Sequence, residues 1–475
     1  MPRRHAINLA VLFSFVCLTL LYFRTGFTST VTEVPSQPVV QEDKEKGETK
    51  LPPTPKYKPT PTYTPPPVRD PFPLLATSTP PPIPQWNVPR DGLHRDYDLP
   101  VAPPLLIGFT RTWPILLQAV VSYVTAGWPP SQIYVVENTG VQQANARDQL
   151  GLQNPFYLNH TQLRMLGVNI VQTPTLLNFA QLQNFFLSMS YSHGWDYYFW
   201  GHMDVLALSY EEGKEGLTPA YDQQGYKTIY ELCCRALAEA RRDDPRWGVR
   251  FFAYDHLALV NPEAYEDVGG WDTMIPYYLT DCDMHSRLLM ANWTMLDAQA
   301  GIPTDTSVVL DDLSVLYRVP GITPDFQDPN PPPPPKPEEE KEKEGEGGGD
   351  QVKKDDGEQA KTNKRDEGGE GLAQAAGRSE EDRNLAYWRA LRDVSDRMFH
   401  YKHGERGRNT WQRGQRGGAG EPFYYPADGL AEAMDVLTEA GREVYRRKWG
   451  HRDCDLIKGA GLQIGDQWLV EKDWE

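Results

Sequence analysis

The sequence predicts a mixed α/β domain with a mostly parallel sheet over residues 101–320, set between non-globular stretches. Three observations predict it. Short apolar runs alternate with helix-like stretches through that region, the order that builds parallel strands joined by crossover helices. Two of the runs end in acidic or His-bearing sequence, and an open sheet of this kind binds ligands at the carboxyl ends of its strands. The 42 prolines are concentrated in two stretches outside the region, where the chain cannot bury a core.

Taken in order, the chain opens with Arg3, Arg4 and His5 before AINLAVLFSFVCLTLLY, residues 6–22, and then Arg24. A bilayer span needs about 17–25 apolar residues, so this run is at the lower limit. A cleaved signal peptide ends at small residues. Here the run ends in Leu20, Leu21, Tyr22 and Phe23, which favours an uncleaved anchor over residues 6–23. The basic tail, residues 1–5, then stays cytosolic and the rest is lumenal. Residues 24–100, with TPTYTPPP and LATSTPPPIP, read as an extended Pro/Thr-rich stem. In a lumen, the sequons at Asn159 and Asn292 become usable. Cys233, Cys234, Cys282 and Cys454 then either pair, in any of three connectivities, or remain buried thiols.

LLIGF is the first strand candidate, followed by a helix from a Thr112 cap to Gly127. QIYVVEN and GVNIVQTP are further strands, residues 178–192 a helix, and YYFWGHMDV a fourth strand. YKTIYELCCRALAEARR reads as an amphipathic helix, and RWGVRFFAYDHLALVN as one or two strands. Residues 321–383, with PDFQDPNPPPPPKP and EEEKEKEGEGGG, read as a disordered acidic and Pro-rich insertion. Residues 384–475 carry two more helix candidates and read as a lobe completing the domain. The net charge of −17 argues against a nucleic-acid partner, which needs a basic face. Gly-x-Ser-x-Gly, His-Glu-x-x-His and P-loop patterns are absent, so a hydrolase reading lacks its usual supports.

Two constellations carry chemistry. The run Trp200-Gly201-His202-Met203-Asp204 delivers a His and an Asp to a strand tip, ligand types suited to a hard divalent ion that neutralises a diphosphate. Gly269-Gly270-Trp271-Asp272 is followed by Thr280-Asp281-Cys282-Asp283 and Arg287-Leu288. A carboxylate opening a helix there suits either a general base or an N-cap.

The order of these elements resembles the GT-A glycosyltransferases, especially inverting family 2 enzymes and the beta-1,4-galactosyltransferases. Those enzymes open with a strand and turn like Ile107-Gly108-Phe109-Thr110-Arg111. Their second strand ends in an acid, here Glu137-Asn138. An Asn-bearing helix follows, here with Asn178 and Asn184, and then a strand ending in Asp-x-Asp, here His202 to Asp204. A Gly-Gly-aromatic and a Glu-Asp-x-Asp close the series, here Gly269-Gly270-Trp271 and Thr280 to Asp283. Two departures stand out: His202 for the first Asp, and Thr280 for the Glu.

The resemblance implies a three-layer α/β/α sandwich and a metal-dependent transfer from a nucleotide-sugar donor to a glycan or glycoprotein acceptor. It implies a donor site of Thr110, Arg111, Glu137, Asn178, Asn184 and His202. Mn2+ or Mg2+ would sit on Asp204 and His202, with His403 or His451 as a further ligand. Asp281 would be the general base, Asp283 would orient the acceptor or steady the loop, and Trp271 with Asp272 would meet the acceptor. With the N-terminal anchor, the expected setting is a single-pass type II Golgi membrane protein with a lumenal catalytic domain. The rival reading is a non-catalytic GT-A-like protein that binds a glycan or partner.

Overall fold

The computed structural model describes residues 54–59, 67–327, 379–404, 421 and 427–475. The expected tail and anchor at residues 1–23, the stem up to residue 53 and the insertion at 328–378 lie outside them. The chain divides into Met1–Thr62 and Tyr63–Glu475. Of the first unit, residues 54–59 are exposed and without regular structure. No helix among the described residues is long and apolar enough to cross a membrane.

The second unit is built on a seven-stranded sheet. Strands β1 (Leu105–Phe109), β2 (Ile133–Glu137), β3 (Asn169–Gln172) and β4 (Tyr198–Gly201) pair in parallel in the order β3-β2-β1-β4. After β5 (Val205–Leu208), β6 (Trp247–Phe252) and β7 (Leu257–Val260) form an antiparallel pair, with β7 against β4 and β8 (Thr294–Ala298) beside β6. Alternate side chains enter two different cores. Leu105, Ile107, Val135, Phe199 and Leu259 join one, and Leu106, Val136, Tyr198, Trp200 and Val260 the other. That period of two, with helices over each face, makes the three-layer sandwich that was expected.

Helix α1 (Trp113–Thr125) is buried along its whole length. Two short helices, α2 (Gln142–Ala146) and α3 (His160–Met165), precede α4 (Phe179–His193). Farther on come α5 (Ile229–Asp243), α6 (Pro262–Asp267) and α7 (Thr280–Met290), and the C-terminal lobe adds α8 (Glu380–His403) and α9 (Ala427–Trp449).

Three expectations are corrected. The run YYFWGHMDV is not one strand: β4 stops at Gly201, and β5 leaves to pair antiparallel with β9 (Ile302–Asp305) in a separate two-stranded sheet. Residues 67–100 are not stem, because Phe72, Leu75, Leu93 and Leu99 are buried in the main core. Buried Asn87 bonds Glu211 and the Thr125 carbonyl, and the Tyr97 hydroxyl donates to Glu231. Order also extends past both edges of the expected insertion: Phe326 bridges Leu310, and Ser379 caps α8 through the Asp382 amide. Of the cysteines, Cys282 and Cys454 form a disulfide, while Cys233 and Cys234 are buried thiols on α5.

Candidate active site

Strand pairing assembles the site. Parallel strands put Thr110, Glu137 and His202 at one edge of the sheet, each just past or at the end of its strand. The antiparallel pairing of Gly201 with Leu257 brings Asp255 and His256 beside His202, whose amide donates to the His256 carbonyl at 3.1 Å. The pairing of Val205 with Asp305 brings a second carboxylate to Asp204, and the Thr306 amide donates to the Asp204 carbonyl at 2.8 Å. Helix α8 lies against β9, held by the Ser395 hydroxyl donating to Thr304 at 2.7 Å. Its last turn supplies Lys402 and His403.

The outcome is a dense charged cluster. Lys402 Nζ lies 2.7 Å from Asp204 Oδ2 and 2.5 Å from Asp305 Oδ1. Asp305 Oδ2 is 3.0 Å from His403 Nε2 and 3.8 Å from His256 Nε2. His202 places Nδ1 3.7 Å from Asp204 and Nε2 3.5 Å from Asp255. All three members of the Lys402 bridge are buried. Burial works against the Lys402 charge, but Asp204 and Asp305 outweigh it and raise its pKa. Burial likewise opposes a charged His202, yet Asp255, with Asp204 and Asp305, lifts its pKa to about 9. For His256 burial wins over Asp305, and the pKa falls below the usual imidazole value.

A chain of aromatic and acidic groups leads from this cluster to Asp281. His202 stacks on Trp200, Trp200 meets Phe179, Phe179 meets Trp271, and Trp271 meets His285, with centroids 5.4–6.1 Å apart. His285 is within electrostatic reach of both Asp281 and Asp255, and burial still lowers its pKa. Asp281 and Asp283 both lie in the first turn of α7, but neither is its cap: Leu279 takes that position. Asp281 is half-buried. Asp283 is fully buried, taking hydrogen bonds from Arg287 Nε and Nη2 at 2.9 and 2.8 Å and from Trp449 Nε1 at 2.9 Å. Lys448 Nζ lies 2.7 Å from Asp283 Oδ1 and also 2.7 Å from Asp272 Oδ2. Asp283 therefore anchors the C-terminal lobe and is not directed toward an acceptor, and Asp272 is held by the same lysine.

Four other expected roles do not match where the side chains go. Glu137 is saturated: Asn145 and Thr139 donate to Oε1, Gln172 donates to Oε2, and His160 Nε2 lies 2.9 Å from Oε2. Burial opposes its charge, but the bonds from His160, Gln172 and Asn145 hold its pKa down. Asn178 is the cap of α4 in a reciprocal capping box with Gln181. Asn184 clamps the Trp271 backbone, donating to its carbonyl and accepting from its amide, both at 2.9 Å. This close approach explains Gly270, where φ is +70° and a Cβ would stand 2.9 Å from Asn184 Oδ1. Trp271 itself is 3% exposed, so it offers no face for a sugar. Thr110 and buried Arg111 remain at the end of β1, and Arg111 Nη1 donates to the Met434 sulfur on α9.

The residues present do not fit a divalent ion between Asp204 and Asp305. Lys402 already bridges the two carboxylates. A +2 ion about 4 Å from its ammonium would be repelled by roughly 8 kcal/mol at an effective dielectric of about 20. A protonated His202 has no lone pair to give a metal. Among the expected metal residues, Asp204, His202 and His403 come together, but His451 does not join them. Its ring nitrogens face Asp473 and Asp455. With Asp453 and Asp455 it forms a separate, largely exposed acidic group whose ligand atoms lie within 4.8 Å of one another. A groove of about 540 Å³ lined by Trp86, Tyr221, Asp222 and Glu381 contains none of the site residues.

Asp255, His256, His285, Asp305 and Lys402 were not singled out from the sequence. For Lys402 a signal exists. Buried positions on α8 run Trp388, Leu391, Ser395, Met398, Lys402, the three-and-four spacing of a core stripe, with a lysine where an apolar residue belongs.

Fold and site together define an α/β protein with a cluster of charged side chains at the carboxyl ends of its parallel strands. No protein-family model and no curated protein matches the chain. Solved structures similar to it include a mannosyltransferase from Pyrobaculum calidifontis in complex with GDP-Man and Mn2+. That match is 14% identical over 43% of this chain and 60% of that one, with a TM-score of 0.27. A cytidylyltransferase from Leptospira borgpetersenii serovar Hardjo-bovis is 8% identical over 43% of this chain and 82% of that one, with a TM-score of 0.26. The chain thus covers less than two thirds of the mannosyltransferase. Likeness of this degree decides nothing about activity.

Proposed function

We propose that the protein is a glycosyltransferase moving a hexosyl or N-acetylhexosaminyl group from a nucleotide-sugar donor to a glycan or glycoprotein acceptor. The supporting observation is continuity between two distant stretches: the strand tip at Asp204 and the helix start at Asp281 are linked through His202, Asp255 and His285. The donor lies along the carboxyl edge of the sheet, past Thr110 and Arg111. Asp281 takes the proton of the acceptor hydroxyl as that oxygen bonds the anomeric carbon. The bond from that carbon to the phosphate oxygen breaks, and its electron pair leaves on the nucleoside diphosphate. A single displacement of this kind inverts the anomeric centre. Tyr254, 70% exposed and beside Asp255 and Asp281, is the aromatic face for the acceptor sugar in place of Trp271.

The setting that goes with this activity is the Golgi lumen, with the chain anchored as a single-pass type II membrane protein through residues 6–23. The Cys282–Cys454 disulfide supports an oxidising compartment.

Melting shifts of the lumenal chain against a panel of nucleotide sugars test the donor, because a ligand of the folded state raises apparent stability. Asp281→Asn keeps the donor shift and lowers transfer by about 10²–10⁴-fold, the usual weight of a general base. Equal loss of both would make Asp281 structural. The second reading, a non-catalytic GT-A-like binder of a glycan or partner, is favoured by the saturated carboxylate of Glu137; silence toward every donor would select it.

A further inference from the structure

Lys402 stands where the resemblance calls for a metal. It lies on the buried stripe of α8, two turns beyond Ser395, whose bond to Thr304 sets how far the helix end reaches toward Asp305. Its position in the last helical turn also suits a cation, since the helix dipole is negative there. Both oxygens of Asp204 and both of Asp305 face nitrogen: Lys402 on one oxygen of each, His202 near the other Asp204 oxygen, and His403 and His256 near the other Asp305 oxygen. A lysine ammonium has three N–H donors. Two are used by Asp204 Oδ2 and Asp305 Oδ1, and the third is taken by none of the described residues.

We propose that Lys402 is a built-in cation in place of the divalent metal, holding Asp204 and Asp305 together and giving its third N–H to the donor diphosphate, so that donor binding and transfer need no added metal. The donor half of this statement rests on the transferase reading; the occupancy of the cation seat does not.

Electron paramagnetic resonance counts bound Mn2+ from the loss of the free-ion signal. Wild type holds no Mn2+ that Asp204→Asn removes. Lys402→Met and Lys402→Ala, checked for folding by circular dichroism, each gain a bound Mn2+ that is lost again when Asp204→Asn is added. A wild-type Mn2+ site that depends on Asp204 would overturn the proposal, as would folded Lys402 variants that gain none. If neither variant folds, the wild-type comparison with Asp204→Asn decides. In the donor arm, EDTA leaves the wild-type melting shift with nucleotide sugar unchanged, and Lys402→Met weakens donor affinity about 10- to 100-fold, the range for one charge-assisted hydrogen bond. A donor shift abolished by EDTA would overturn the proposal. No shift with any donor, with or without Mn2+, sinks the transferase reading instead, and the Mn2+ count still settles the place of Lys402.

Discussion

Two buried lysines from the C-terminal lobe each bridge a pair of carboxylates, and the contrast between them separates architecture from chemistry. Lys448 on α9 joins Asp272 to Asp283; Lys402 on α8 joins Asp204 to Asp305. Around Lys448 both carboxylates are held by further donors, and the Met274 amide donates to Asp272. Asp283 also receives Arg287 and Trp449, and Arg287 goes on to bond the carbonyls of Val268 and Gly270. Ile275, Tyr445, Trp449 and Leu456 close an apolar cluster beside it, and the Cys282–Cys454 disulfide staples the same corner. Around Lys402 the neighbours include His202, His256 and His403, His202 is 30% exposed, and one ammonium proton is taken by none of the described residues. The first arrangement fixes the lobe on the domain; the second gathers charged groups at the carboxyl edge of the sheet.

The largest effect expected is at the stapled corner. A disulfide closing a loop with a sequence separation of 172 restricts the unfolded chain. Its removal costs about 5 kcal/mol in the chain-entropy model. Thermal melts with and without a reductant, beside Cys282→Ser, measure it. Reduction that leaves the melt unmoved but abolishes donor binding would reverse the roles of the two corners. Next in size is Asp283→Ala, which leaves buried Arg287 without its carboxylate and Lys448 with Asp272 alone, and destabilises by about 3–5 kcal/mol. Denaturant titration gives the loss directly. Molecules that remain folded should keep wild-type donor affinity, and a specific loss of affinity would give Asp283 a place in the site.

The same contrast explains what could be read from the sequence. The strands LLIGF and QIYVVEN and the helix between them were legible because local periodicity decides them, and β1, β2 and α1 fall where the pattern puts them. Asp204 and Asp281 stood out because a strand tip and a helix start are local features. Asp305 and Lys402 did not, because register brings Asp305 to Asp204 and helix packing brings Lys402 to both. The break between β4 and β5 has the same origin: nothing in YYFWGHMDV marks the residue at which pairing partners change. At residues 67–100 proline-rich composition masked four apolar anchors, enough to pin a segment that has no periodicity. The resemblance put Trp271 against an acceptor, yet Gly270 beside it serves the Asn184 clamp and the indole is buried.

The smallest of the effects is also the one that isolates the ligand-facing corner. His202 titrates near 9 in the folded protein against an ordinary value of 6.5. A pKa raised by folding contributes its full stabilisation below pH 6.5, loses it progressively as pH climbs, and contributes none above about 9. With nearly a third of the side chain exposed, the contribution is on the order of 2 kcal/mol. The groups facing His202 are Asp255 and His256 ahead of β7, Asp204 on its own turn, Asp305 on β9 and Lys402 on α8. His256, with a lowered pKa, does not gain charge in this window. His451, at the other corner, is raised by Asp473 and Asp455 and slopes the same way. The difference between wild type and His202→Gln therefore carries the test. Denaturation midpoints from pH 6 to 9.5 should fall more steeply in wild type, and the two curves should meet at the alkaline end. Parallel curves would mean that folding leaves the His202 pKa at its ordinary value of 6.5, so that above it Lys402 is the cation that compensates Asp204 and the imidazole regains a lone pair.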